Sequence, residues 1–133
     1  MTDAILPLFV AAALGAAVGL ERETWNKPAG LRTHMMVAVG SATFTQLALR
    51  IVADSGDPSR IVVGVATGLG FLGAGSIIRS EGRVHGITTA SGIWVVGAAG
   101  ACCGAGQFDI AVTAIVMSLV ILAVLRKLES TRA

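Results

Sequence analysis

The chain has 133 residues, of which 54% are hydrophobic and 14% charged, with ten Lys and Arg against eight Asp and Glu. A soluble domain carries about 25% charged residues, so this composition excludes an ordinary soluble domain, and it is far too apolar for a disordered chain. Seventeen glycines without a three-residue period exclude a collagen-like repeat, and the adjacent Cys102 and Cys103 supply neither a disulfide framework nor metal-ligand spacing.

Five stretches lack Lys, Arg, Asp and Glu: 4–20, 33–49, 61–78, 84–108 and 110–125. A spanning helix needs about 20 mostly apolar residues, and at about 1.5 Å per residue about 18 of them cover about 27 Å. The runs show no sustained alternation, which argues against a β-barrel. The expected fold is an all-α membrane protein. It is a single transmembrane domain of about five helices, over about 4–20, 34–53, 61–78, 87–105 and 109–126, with no soluble C-terminal domain. The first helix follows Met-Thr-Asp rather than a basic region, so it reads as a retained span and not as a cleaved signal.

Helix one carries Gly15 and Gly19, four residues apart, a small-residue face that lets another helix approach. The first connection is dense in polar residues. Glu21 and Glu23 close helix one, Pro28 and Gly30 supply the turn, and Arg32 and His34 open helix two. Trp25 suits the membrane interface. Charges near lipid are costly unless paired, so a pair between Arg32 and Glu21 or Glu23 is expected. The alternative is an ordinary solvated connector.

Helix three holds five glycines, Gly64, Gly68, Gly70, Gly73 and Gly75. At about 100° per residue, Gly64, Gly68 and Gly75 share one face and Ala66, Gly70 and Gly73 the opposite one. A helix bare on two sides accepts a neighbour on each, which places helix three at the centre of the bundle. The rival reading is a helix broken around Gly70–Gly75 that lines a substrate path. In the second connection, Thr88 or Thr89 is positioned to cap helix four after Gly86, or to contact an anion at that helix start. His85 reads as an interfacial residue. Gly100 and Gly104 repeat the small-residue spacing, and the short 104–109 junction predicts a close antiparallel hairpin with helix five. With Gly15 and Gly19 they look like spare surfaces, from which a homodimer is expected.

Five spans put the termini on opposite sides. Arg22, Lys27, Arg32, Arg79, Arg83, Arg126, Lys127 and Arg132 fall on one side, and Arg50 and Arg60 on the other. Basic residues accumulate in the cytoplasm, so the N-terminus is expected outside and the C-terminus inside. The lipid bilayer then accounts for the basic charge. Nucleic acid is not expected, since neither a stacking set nor a concentrated basic face exists. No P-loop, nucleophile triad or zinc-type spacing occurs, so no enzyme activity, catalytic residue, cofactor or bound metal is expected.

Four segments occur in order: Gly19-Leu-Glu-Arg-Glu23, Pro28-Ala-Gly-Leu-Arg-Thr-His34, Gly70-Phe-Leu-Gly-Ala-Gly-Ser-Ile-Ile78 and His85-Gly-Ile-Thr-Thr-Ala-Ser-Gly-Ile-Trp94. Together they resemble the MgtC/SapB family over about 4–125, and Gly100-Ala-Cys-Cys-Gly-Ala-Gly106 is similar to its small-residue segment. The resemblance implies a bacterial inner-membrane protein of about five spans, linked to growth at low magnesium and to survival inside host cells. It implies a regulator acting through membrane-protein contacts, with the F-type ATP synthase as partner. The alternative is a transporter or channel for Mg²⁺ or another small solute. Many members add a soluble C-terminal domain. The motif residues carried over are Glu21, Arg22, Glu23, Gly30, Leu31, Arg32, Thr33 and His34. They continue with Gly70, Phe71, Gly73 and Gly75, then Gly86, Thr88, Thr89, Trp94 and Cys103.

Overall fold

The computed structural model describes residues 2–52, 57 and 59–131. The elements run α1 (Thr2–Thr24), α2 (Leu31–Ile51), α3 (Ser59–Gly75), β1 (Ile78–Ser80), β2 (Arg83–His85), α4 (Ile87–Gly104) and α5 (Phe108–Thr131). The all-α reading holds. Over 4–24, 87–104 and 108–128, α1, α4 and α5 are long and apolar enough to cross a membrane, and α3 is a shorter apolar helix of 17 residues. With 21 residues, α2 reaches about 32 Å, but its hydroxyl and amide groups lower its apolar character. The end expected for helix two, at 53, lies outside the described residues.

Several hydroxyl and amide groups on these helices are satisfied within the chain. Thr43, Thr67, Ser91 and Thr113 each donate to the carbonyl four residues earlier, at 2.7–3.0 Å. Such back-bonding lets a hydroxyl sit in an apolar setting without stranding a donor. Gln46 Nε2 donates to the Ala4 carbonyl at 3.1 Å, which ties the end of α2 to the start of α1.

The centre of the bundle is α4, not the glycine-rich α3. Each of the other four helices packs on α4, whereas α3 leans on α4 and touches α2 only lightly. The reason lies in which glycines meet a backbone. A Cβ on Gly100 would strike the Ala38 carbonyl of α2, and one on Gly104 would strike that of Ala42. Gly97 makes room for the Leu69 side chain of α3. By contrast, Gly64, Gly68, Gly70 and Gly75 have open space where a side chain would begin; in α3 only Gly73 approaches a neighbour, Ala90. The small-residue faces of helices one and four are likewise not spare. Gly15 lies against the His34 carbonyl, 2.6 Å from where its Cβ would stand, and Gly19 against Leu31 Cα at 2.7 Å. Both motifs are used up within the protomer, which removes the argument for a dimer built on them.

The charged residues do not end α1: Glu21, Arg22 and Glu23 continue it to Thr24. At its other end α3 stops earlier than expected. Ser76 N bonds to the Gly73 carbonyl at 3.0 Å and Ile77 N to that of Ala74 at 3.1 Å, while Ser76 Oγ also donates to Gly73 at 2.7 Å. These shorter-range bonds tighten and finish the last turn. An unexpected antiparallel hairpin follows, pairing Ile78 with His85, Arg79 with Val84 and Ser80 with Arg83. Its two-residue turn, Glu81-Gly82, has φ of 50° and 76°, the positive values that hairpin geometry favours. Gly86 then starts α4 at φ 90°, with the Ser76 backbone occupying the place of any side chain.

Candidate functional site

The two connections meet at one end of the bundle, where the C-terminal part of α1, the start of α4 and the end of α5 enclose a pocket of ≈ 440 Å³. Its polar wall holds Glu21, Arg22, Asn26, Lys27, His85, Thr88 and Thr89, and Ile121, Leu122 and Leu125 of α5 form its apolar wall beside Arg126. Arg22 is only 5% exposed, an unusual state for a guanidinium, because α1 turns it inward against α4. Its Nη2 donates to Thr89 Oγ1 at 3.4 Å and its Nη1 lies 3.6 Å from Glu21 Oε2. Glu21 Oε1 accepts from Arg126 Nη1. The Arg126 guanidinium also stacks over Trp25, 3.9 Å from the ring centroid, a cation–π contact that holds the end of α5 against α1.

This arrangement corrects the expected charge lock. Arg32 is exposed on the first turn of α2, and the partners of Glu21 are Arg22 and Arg126. Glu23 has a different task. Its Oε2 accepts from the Leu31 amide at 2.7 Å, so a carboxylate of α1 caps the start of α2, where Gly30 offers no side chain of its own. Arg32→Ala should therefore change folded stability by less than about 0.5 kcal/mol, as expected for a surface substitution. A double-mutant cycle between Glu21 and Arg32 should show no coupling, and one between Glu21 and Arg126 should.

The other expected residues separate into two groups. Gly86, Thr88 and Thr89 join the pocket, but neither threonine caps α4, whose first turn has no side-chain cap. Thr89 instead receives the Arg22 donor. Away from the pocket, His34 is fully buried between α2 and α4. Its Nδ1 donates to the Gly30 carbonyl at 2.9 Å, and its Nε2, without a partner, faces Gly92. Thr33 is exposed, Cys103 is buried in the core, and Trp94 is 53% exposed on α4. Phe71, 82% exposed, lies with Gly70 and Gly75 on the open side of α3. Sequence reasoning missed Arg126, although its position just after the fifth apolar run, on the same side as Glu21, was a usable signal. Among the described residues, no three of His, Cys, Asp and Glu converge to hold a metal.

A second cavity lies between α2 and α3, ≈ 830 Å³ in volume and almost wholly apolar. Met36, Gly40, Phe44 and Leu47 form one wall, and Ile61, Gly64, Gly68 and Leu72 the other. Gly64 and Gly68 border it, and among the described residues nothing lies within 4 Å of where their side chains would begin.

A model described as the MgtC family matches residues 8–131. The chain is 40% identical over 131 residues to a protein named putative magnesium transporter YhiD from Escherichia coli K12, covering 93% of this chain and 61% of that protein. It is 41% identical over 115 residues to Protein MgtC of Brucella abortus, covering 86% of this chain and 48% of the relative. For Protein MgtC of Salmonella typhimurium the identity is 42%, with 86% and 49% covered. The chain thus spans between about half and three-fifths of the length of these relatives. No solved structure matches it.

Proposed function

This chain belongs to the MgtC family, and from that premise we propose that it is a bacterial inner-membrane protein that regulates another membrane protein by helix contact. In this reading all five helices span the bilayer. The pocket end lies in the cytoplasm, the C-terminus inside and the N-terminus outside, as the segregation of Arg22, Lys27 and Arg126 to one end supports. The observation that carries the reading is the open α2–α3 cleft. Gly15, Gly19, Gly97, Gly100 and Gly104 are used in the chain's own packing, but Gly64 and Gly68 stand bare beside an apolar cavity. In a bilayer such a surface gains little from lipid and much from a close-packed helix. The occupant is a transmembrane helix of the regulated protein. The F-type ATP synthase is the partner that the family resemblance suggests, and low-magnesium growth and intracellular survival are the settings.

The name of the Escherichia coli relative favours a second reading, transport of Mg²⁺ or another small solute. The two separate in proteoliposomes holding the purified chain alone. Regulation by contact predicts no Mg²⁺ flux above that of empty vesicles. It also predicts that Gly68→Leu, which meets open space within the protomer, keeps folded yield and abolishes complementation of growth at low magnesium. Protein-dependent flux, unchanged by Gly68→Leu, would replace regulation with transport.

A further inference from the structure

The pocket at the charged end has features that the helix-contact reading leaves unused. Among the described residues, three basic side chains, Arg22, Lys27 and Arg126, face it together with a single carboxylate, Glu21. Arg126 already engages Glu21 Oε1, and Glu21 Oε2 lies beside Arg22 Nη1 at 3.6 Å, so positive charge remains in excess. Arg22 is the informative residue. It is only 5% exposed, its bond to Thr89 is long at 3.4 Å, and its Nε is buried without any partner among the described residues. A buried charged donor without an acceptor is costly, and Arg22 is one of the side chains that line the pocket. A second contribution comes from α4, an 18-residue helix whose uncapped N-terminus, at Gly86, Thr88 and Thr89, borders the same space. Free amides and the positive end of the dipole favour an anion there. At ≈ 440 Å³, the cavity is far larger than the about 30 Å³ of one water.

We propose that this pocket binds a phosphate group through Arg22, Lys27, Arg126 and the start of α4. Guanidinium forks match phosphate oxygens. The Glu21 carboxylate is compatible with this, since two arginines already compensate it. A phospholipid headgroup and free phosphate share the chemistry. The exposed Ile121 and Leu125 on the opposite wall give a headgroup's acyl chain a path along α5.

The test uses the whole chain purified in dodecyl maltoside, with unfolding temperature as readout. One arm adds inorganic phosphate against chloride of equal ionic strength. The other adds dioleoyl phosphatidylglycerol against dioleoylglycerol, which lacks the phosphate. A saturable rise is expected in at least one arm, and the arm that responds identifies the source. Arg22→Gln should weaken the apparent Kd at least about ten-fold. Because Arg22 is buried, Lys27→Glu serves as the second variant: Lys27 is exposed, its reversal spares the fold, and the Kd should weaken about three-fold or more. No response beyond the controls in either arm, or Lys27→Glu binding as tightly as the unaltered chain, overturns the proposal. Gly68→Leu should leave the response intact, which keeps this outcome separate from that of the cleft.

Discussion

Replacing Gly100 by leucine should leave little or no folded protein. Gly100 sits on the face of α4 that meets α2, and a Cβ there would run into the oxygen, carbon and Cα of Ala38. A side chain that meets another side chain can often be accommodated by a rotamer change, but this one meets backbone in the middle of a helix. The only relief is to move α2 away from α4, which also opens the contact of Gly104 with Ala42 and Thr45. Overpacking a core typically costs about 1–3 kcal/mol and occasionally more; the rigid neighbour puts Gly100→Leu at or above that range. Even Gly100→Ala should be measurably destabilising. The check is folded yield and unfolding temperature in detergent, with Gly68→Leu as the control. Helix three carries more glycines, yet Gly68→Leu should leave folded yield and unfolding temperature unchanged, because nothing among the described residues lies within 4 Å of the new Cβ.

Glu21→Ala should be the second severe change. It removes the counter-charge beside Arg22, a side chain only 6% exposed, and strands that guanidinium between α1 and α4. Breaking a buried pair by deleting one partner costs about 3–5 kcal/mol, mostly as the penalty for the charge left behind. Glu21→Ala combined with Arg22→Met should recover much of the loss, since the stranded charge is then gone and Met fills similar space. Arg126→Ala should cost less, because its side chain is 36% exposed and water screens its pair with Glu21. Equal losses for the single and double variants would mean that Arg22 is held by packing and not by charge.

The helices were legible because charge-free runs of spanning length have few other uses, and the α4–α5 hairpin followed from its short junction. Their ends were less legible. Glu21, Arg22 and Glu23 interrupt the apolar run without interrupting the helix, since hydropathy reports the membrane edge and not the backbone. The hairpin between α3 and α4 was hidden because Glu81-Gly82 carries only one glycine for its two positive-φ positions. Counting glycines pointed to α3 as the centre. What decides is which face of a helix meets a neighbour's backbone, and that depends on tertiary geometry. At the pocket, Glu21, Arg22 and Thr89 were legible as residues but not as partners. Pairing by proximity in the chain favours Arg32, whereas the fold brings in Arg126 from 105 positions away.

The central claim is that the α2–α3 cleft receives a helix of another membrane protein. A photo-reactive residue in place of Phe44, which is 66% exposed on the cleft wall, tests it in native bacterial membranes under low magnesium. The account predicts one dominant protein adduct, its crosslink lying in a transmembrane segment of the partner, and predicts that adding Gly68→Leu removes the adduct while folded protein remains. Adducts with lipid alone, or a protein adduct that persists at full yield with Gly68→Leu, would contradict it.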